Sequence, residues 1–356
     1  MVYRDGSKGI DGLGGCRGVA ISPDGRCLYV AGYADSAIAS FRREEETGAL
    51  RFEGAYSEKT TGPIGLEGVH PLLISPDGTY LFAGGYTDGT LVLFSREPST
   101  GALTFLEGLS CADAGLEALA GIRSVALSPD GANLYAAGYT DGTIASFTFD
   151  SGAARLQLLQ SLRDGDAGLD FLAGAACVQV SPDGTQVALA CLEDDSLLLF
   201  DRDPITGALA LKQQLVDGSA GCEGLNGASC VLFSPDGRYV YVTGYYDNAV
   251  SVLSRDPQSG MLTPIQLFTD ASIGADALYH AQELALSPDG ASLYVTASAA
   301  DCVAIFDRDP ASGTLDYSRC IGGMDGARGL TVSRDGRNCY VATAGASALY
   351  LLNRRP

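Results

Sequence analysis

The chain of 356 residues contains no tryptophan, only two histidines and three methionines, and its 23 lysines and arginines are outnumbered by 43 aspartates and glutamates. Each shortage excludes something. The formal net charge of −20 leaves no basic face for a phosphate backbone, which argues against nucleic acid as a partner. No window approaches the roughly 20 apolar residues of a membrane span, so no membrane partner is expected. A G-x-G-x-x-G turn after a strand, a Walker lysine and an H-E-x-x-H pair are all missing, and nucleotide use and zinc-dependent hydrolysis have no support. The amino terminus, Met1-Val2-Tyr3-Arg4, lacks the charged-then-apolar pattern of a leader. Two localisations stay open: cytoplasmic, or exported with the signal removed.

What is present is repetition. Ser22-Pro23-Asp24-Gly25 returns as the same tetrapeptide at Ser75, Ser128, Ser181, Ser234 and Ser287, and finally as Ser333-Arg334-Asp335-Gly336. The first five steps are 53 residues and the last is 46. A period of this size marks supersecondary units that cannot bury their apolar faces alone. The chain is one unit written seven times, and residues 1–356 read as a single domain.

Within the first copy, Gly18-Val19-Ala20-Ile21 runs into the Pro-Asp-Gly turn and Cys27-Leu28-Tyr29-Val30-Ala31 leaves it, a hairpin. Ala37-Ile38-Ala39-Ser40-Phe41 alternates with period two, and a Thr-Gly turn at Gly48 leads to Ala49-Leu50-Arg51-Phe52. Each unit is therefore a four-stranded meander, A to D. A leucine nine residues before the turn serine (Leu13, Leu66, Leu119, Leu172, Leu225, Leu278) is expected to plug the space between units. The fold class is all-β: a seven-bladed β-propeller of four-stranded blades. With no Trp-Asp or Gly-His pairs it is not of the WD40 type. The last copy stops after its strand C at Ala348-Leu349-Tyr350-Leu351-Leu352-Asn353, and residues 1–4 are spaced to supply its missing strand D. The ring is thus expected to close by the N-terminal strand joining the C-terminal blade. So short a strand suggests a natural chain that extends upstream.

The ten cysteines keep no fixed place in the repeat and show no close C-x-x-C spacing. Cys177 and Cys230 share one repeat position in neighbouring copies, with Cys191 expected nearby, which leaves open a disulfide, a soft-metal site or simply buried thiols.

The run from Ser234 to Gly260, with its turn tetrapeptide, Tyr-Val pair, aspartate, Val-rich strand and Arg255-Asp256-Pro257 before the closing glycine, resembles the YVTN-type repeats of the seven-bladed lactonase family. That family includes 6-phosphogluconolactonase-like proteins and fungal carboxymuconate cyclases. The resemblance covers nearly the whole chain and implies the propeller fold, lactone hydrolysis or lactonising chemistry, and no cofactor.

In such a propeller the D-to-A connections and B-to-C turns share one face, opposite the invariant turns, and function belongs on the variable face. Five residues before each turn serine, at the start of strand A, the copies read Arg17, His70, Arg123, Ala176, Ser229, Gln282 and Arg328. Three arginines point to an anionic ligand, since a guanidinium presents a planar fork to carboxylate or phosphate. Val69-His70-Pro71 resembles the His-Pro motif at the start of strand A in the lactonase family, where the histidine faces the substrate; the resemblance makes His70 the general acid or base. The plainer alternative is a strand-end histidine bonded to a loop. Glu283, one residue further along strand A of the sixth copy, is the best-placed acid, and Arg123 completes the catalytic set. The cyclases' other catalytic arginines and glutamate have no recognisable flanking motifs here. Arg17, Arg328, Gln282 and Ser229 are candidate substrate-binding residues, as are Tyr33, Tyr86, Tyr139 and Tyr245, each eleven residues past its turn serine. The tyrosines alternatively pack between blades.

His280, on a connecting loop beside Tyr279, reads as structural. The aspartates two residues past the tyrosine position (Asp35, Asp88, Asp141, Asp194, Asp247) suggest a calcium ring on paper, but they are hairpin-turn residues, and no metal site is assigned. The expectation is an enzyme acting on a small anionic or aromatic molecule at the channel mouth, as a monomer. Two alternatives stand beside it: an alkylating, C–C bond-forming enzyme using Arg and Tyr, like the cyanobacterial cyclophane-forming propellers, and a non-catalytic protein-interaction propeller.

Overall fold

The repeated tetrapeptide closes its own hydrogen bonds, which is why it recurs. In the first copy the Ser22 hydroxyl donates to Asp24 Oδ1 at 2.5 Å and accepts the Cys27 amide at 2.9 Å, while Asp24 Oδ1 accepts the Arg26 amide at 3.1 Å. Gly25 follows with φ 71°, a left-handed conformation that costs glycine little. The same set recurs at Ser128, where the Asn133 amide is accepted at 2.9 Å, and at Ser333 with Asn338 at 3.0 Å. Arg334 therefore replaces proline in the last copy without loss of the turn.

The computed structural model describes residues 1–62, 65–113, 115–166, 168–219 and 221–354. Seven four-stranded antiparallel sheets, each in simple A-B-C-D order, are the blades of a β-propeller. The chain forms two compact units, Met1–Ile122 with Met324–Pro356, and Arg123–Gly323. The only α-helical elements among the described residues are two single turns, Glu58–Thr61 and Asp270–Ile273, and no helix is long and apolar enough to cross a membrane.

The first unit holds the blades of copies one, two and seven. The seventh is completed from the other end of the chain: Val2–Arg4 pairs antiparallel with Ala348–Asn353, Tyr3 opposite Leu349, and the terminal ammonium donates to the Leu351 carbonyl at 3.0 Å. This closure is the one expected. The Tyr3 hydroxyl accepts the Leu50 amide at 2.7 Å, tying the blade to its neighbour. Leu13 and Leu66 are fully buried, Leu66 among Tyr29, Ala31 and Ile38 of the preceding copy, so the plug leucines fill the space between blades as expected.

A second tie was not anticipated. The buried Arg43 donates to the Tyr340 hydroxyl at 2.8 Å and to Asp335 Oδ2 at 2.8 Å, while Tyr340 donates to the Gly48 carbonyl at 2.7 Å. Arg96 and Tyr29 repeat the pattern with Gly101. Each latch joins a strand B tyrosine and the turn aspartate of one blade to the strand C arginine and Thr-Gly turn of the next. Burial works to raise the Asp335 pKa, but the Ser333 hydroxyl, Arg43 and the Arg337 amide outweigh it and hold the carboxyl at about 2.

The second unit holds copies three to six and builds the same latch: Arg202 to Tyr135 at 2.8 Å and Asp130 at 3.1 Å, with Tyr135 donating to Gly207 O at 2.8 Å, and Arg308 to Tyr241 with Gly313. Where the tyrosine position is Ala188, Arg255 donates instead to Gln186 Oε1 at 2.6 Å. Gln160, Gln213 and Gln266 add a further clamp, each amide pairing with both the N–H and the C=O of the residue that opens the next strand D (Leu209, Leu262, Leu315).

Candidate active site

Strand A is irregular at the place where the copies diverge. Its pairing with strand B skips a residue or two between Cys16 and Gly18, Val69 and Leu72, Ala175 and Cys177, Ala228 and Cys230, Ala281 and Leu284, and Ala327 and Leu330. The skipped residues are Arg17, Ala176 and Ser229 singly, and His70 with Pro71, Gln282 with Glu283 and Arg328 with Gly329 as pairs. A β-bulge bends the strand and re-aims a side chain out of the pleat. The variable position is therefore, in these six copies, one that is freed from the ladder.

In the first unit, Arg17, His70 and Arg328 are all half-buried on their bulges. Strand backbones abut here: a Cβ at Gly18 would lie 2.1 Å from the His70 carbonyl oxygen, and one at Gly329 would lie 2.0 Å from that of Arg17. Glycine at these two points lets the bulges of successive blades stand side by side. The Arg17 guanidinium sits 3.7 Å from the centre of the Tyr33 ring, and Tyr33 and Tyr86 are 6.1 Å apart and tilted. The phenols thus pack against one another and under an arginine, which orients the guanidinium.

In the second unit the Arg123 guanidinium lies 5.0 Å from the Tyr139 ring centre, the same pairing two repeats on. Glu283 is half-buried. Burial pushes its carboxyl up, with a hydrogen bond to Cys230 and the charge of Arg123 pulling the other way and losing. Cys230 Sγ is 3.6 Å from Glu283 Oε1 and 3.5 Å from Cys177 Sγ, so both cysteines remain thiols beside the acid. The Cys230 thiol is raised well above its usual value, first by its contact with Cys177 and then by burial. Cys191 is not with them. Ala190, paired with Cys177, faces that cluster, and the next residue of a strand points to the opposite face. Ser229 and Gln282 are largely inward: the Ser229 hydroxyl bonds to Thr243 Oγ1 at 2.9 Å and donates to the Ala281 carbonyl at 3.0 Å, and the Gln282 amide donates to Ser298 Oγ at 3.4 Å. Tyr245 stacks on His280, ring centres 4.1 Å apart.

Cys177, Cys230 and Glu283 occupy one repeat position in three successive copies, four residues before the turn serine. Counting back four as well as five exposes that triad.

The hairpin aspartates have local work. Asp35 accepts the Gly14 amide at 2.6 Å, Asp88 that of Glu67 at 3.2 Å, Asp194 that of Ala173 at 2.7 Å and Asp247 that of Asn226 at 3.2 Å, each holding a D-to-A connection against its B-to-C turn. Asp141 pairs with Arg163 at 3.3 Å. Among the described residues, Asp5, Asp11 and Asp35 bring carboxylate oxygens within 4.8 Å of one another, and all three also accept backbone amides.

Blade count, strand order and bulged strand starts define a propeller with polar residues at the start of its A strands. The sequence profile described as lactonase, 7-bladed beta-propeller, matches residues 6–112, 106–221 and 223–356, and the chain belongs to this family. It is 24% identical over 288 residues, 80% of this chain and 79% of the relative, to the 6-phosphogluconolactonase of Pectobacterium atrosepticum. Among solved structures it is similar to a putative 6-phosphogluconolactonase of Bacteroides uniformis (TM-score 0.73, 22% identity, covering 89% of this chain and 88% of that one). It is also similar to the periplasmic gluconolactonase of Pseudomonas aeruginosa (TM-score 0.71, 21% identity, 90% and 88%). These two structural likenesses bear on fold; family membership supports lactone hydrolysis as the broad functional class.

Proposed function

We propose that the protein hydrolyses a small lactone carrying a negative charge or several hydroxyls. The observation that carries this reading is the coincidence of the bulge with the divergent position: six copies show the same bulge and vary in the side chain that it releases. His70 is the general base. It takes a proton from water as the oxygen attacks the lactone carbonyl carbon, and the arginines Arg17 and Arg328 answer the negative charge of the substrate and of the developing oxyanion. The proton taken up by His70 passes to the ring oxygen as the C–O bond breaks; within the second unit Glu283, whose raised carboxyl favours the protonated form, is a further proton donor, and Arg123 supports the carboxylate that results. Ring opening yields a hydroxy acid, and water is the only co-reactant.

The test is lactone hydrolysis followed by acid release with a pH indicator. His70→Ala is expected to lower kcat by about 10²–10⁴-fold, the worth of a positioned proton-transfer group, with an unchanged melting temperature. Full turnover in His70→Ala overturns the assignment of the base, and failure to open any lactone overturns the reading.

A further inference from the structure

Seven residues before the turn serine, six copies have glycine (Gly15, Gly68, Gly121, Gly174, Gly227, Gly326), every one with φ between 57° and 70°. The sixth copy has His280 there, at φ 56°. The left-handed conformation brings Cβ against the following carbonyl, so a branched or bulky side chain is strained in it. A repeat that solves this turn with glycine six times has accepted a strained imidazole once, and such strain clusters at functional sites.

The surroundings of His280 are equally particular to this place. Its ring stacks on Tyr245 at 4.1 Å and 19°, with Tyr279 at 4.5 Å, and Tyr245 meets Tyr246 edge-on at 5.0 Å. No other copy has an aromatic residue at the positions of Tyr246 or Tyr279. If the cluster served only to pin the loop, its rings would be covered; instead Tyr246 is 56% and Tyr279 47% exposed. Polar groups border it. Asn248 Oδ1 accepts the His280 amide at 3.0 Å, and the His280 carbonyl accepts Ser298 Oγ at 3.3 Å. Ser298 Oγ in turn accepts from Gln282 on the bulge of strand A. The aromatic cluster is thereby tied to the row of candidate site residues.

We propose that Tyr246, Tyr279 and His280 form a subsite for the sugar ring of the lactone, an inference that rests on the lactonase reading. Half-exposed phenol and imidazole rings offer apolar surface to the C–H face of a sugar, while the hydroxyls of Tyr246 and Tyr279 supply partners for its hydroxyls. A lipid chain or a protein surface calls for a larger and less polar patch.

The experiment is calorimetric titration with a sugar δ-lactam, in which N–H replaces the ester oxygen so that the ring cannot be hydrolysed, alongside melting curves and lactone hydrolysis. Tyr246→Ala and Tyr279→Ala are each expected to weaken lactam binding about tenfold. His280→Gly, which restores the residue of the other six copies, is expected to weaken it similarly while raising the melting temperature by a few degrees, since it relieves the strained turn. Three outcomes overturn the proposal: no lactam binding by the unaltered protein, binding unchanged in all three variants, or weakening seen with benzoate and not with the lactam. A fall in melting temperature for His280→Gly with unchanged affinity makes the histidine a packing residue and also overturns it. If the variants bind normally while the protein hydrolyses lactones, the subsite alone is wrong. If lactam binding weakens as expected while no lactone is opened, the subsite stands and the hydrolase reading falls.

Discussion

Two regions of every blade begin from the same repeat and end differently. Near the Ser-Pro-Asp-Gly turn, the tyrosine–arginine latch recurs in four blades, at 2.8 Å from Arg43 to Tyr340 and 2.8 Å from Arg202 to Tyr135. At the bulge of strand A, one backbone irregularity carries arginine, histidine, alanine, serine or glutamine. The latch is built from buried, mutually bonded groups such as Arg43 with Tyr340 and Arg202 with Tyr135, so substitution there leaves a buried group unsatisfied. The bulge lies outside the ladder, and its side chain changes from copy to copy. Uniformity marks the region that holds blades together, and divergence marks the region left to chemistry.

Three measurements sharpen or break this contrast. The largest effect is expected at the bulge. Glu283→Gln keeps the shape but removes the proton, and kcat for lactone opening should fall by about 10²-fold or more with melting unchanged. Because burial raises the Glu283 carboxyl, the unaltered protein keeps this group protonated to higher pH than an exposed glutamate does. Its rate should decline on the alkaline side of that raised pKa, and this limb should vanish in the variant; a limb that persists assigns it to another group.

The opposite pattern is expected at the latch. Arg202→Ala strips Tyr135, Asn133, Gly184 and Asp130 of their shared donor and should cost about 2 kcal/mol of stability by chemical denaturation. The kcat of the folded fraction should be unaltered. An Arg202→Ala protein that melts normally but loses turnover inverts the comparison.

The smallest effect is in acid. Asp335 is held at about 2, below the unfolded value near 3.9. Its contribution to stability is complete above that unfolded pKa and is lost as pH falls through about 2. Asp335→Asn should flatten the acid side of the stability curve between about pH 4 and 2 and leave the neutral side little changed apart from the lost pairing with Arg43.

The repeat made the blades legible because turn, strand and plug residues act locally and return at a fixed period: Leu66 and the pairing of Val2–Arg4 with the last strand lie where counting puts them. The latch was missed although its residues also recur, since Arg43 and Tyr340 are 297 positions apart and nothing in either segment alone says that they meet. Cys191 was placed wrongly because nearness along a strand says nothing of its face, and successive side chains point to opposite sides.

By itself the sequence determined the number of blades, the order of their strands and the position at which the copies disagree, because hairpin chemistry and period-two burial are properties of short segments. Only the tertiary structure decided that the disagreement falls on a bulge, that Cys177, Cys230 and Glu283 touch in a row, and that His280 sits strained in a glycine's place among three tyrosines. Those facts depend on strand register and on neighbouring blades, where residues some 50 positions apart come within 4 Å, and a repeat period carries no information about which of its side chains survive in contact with solvent.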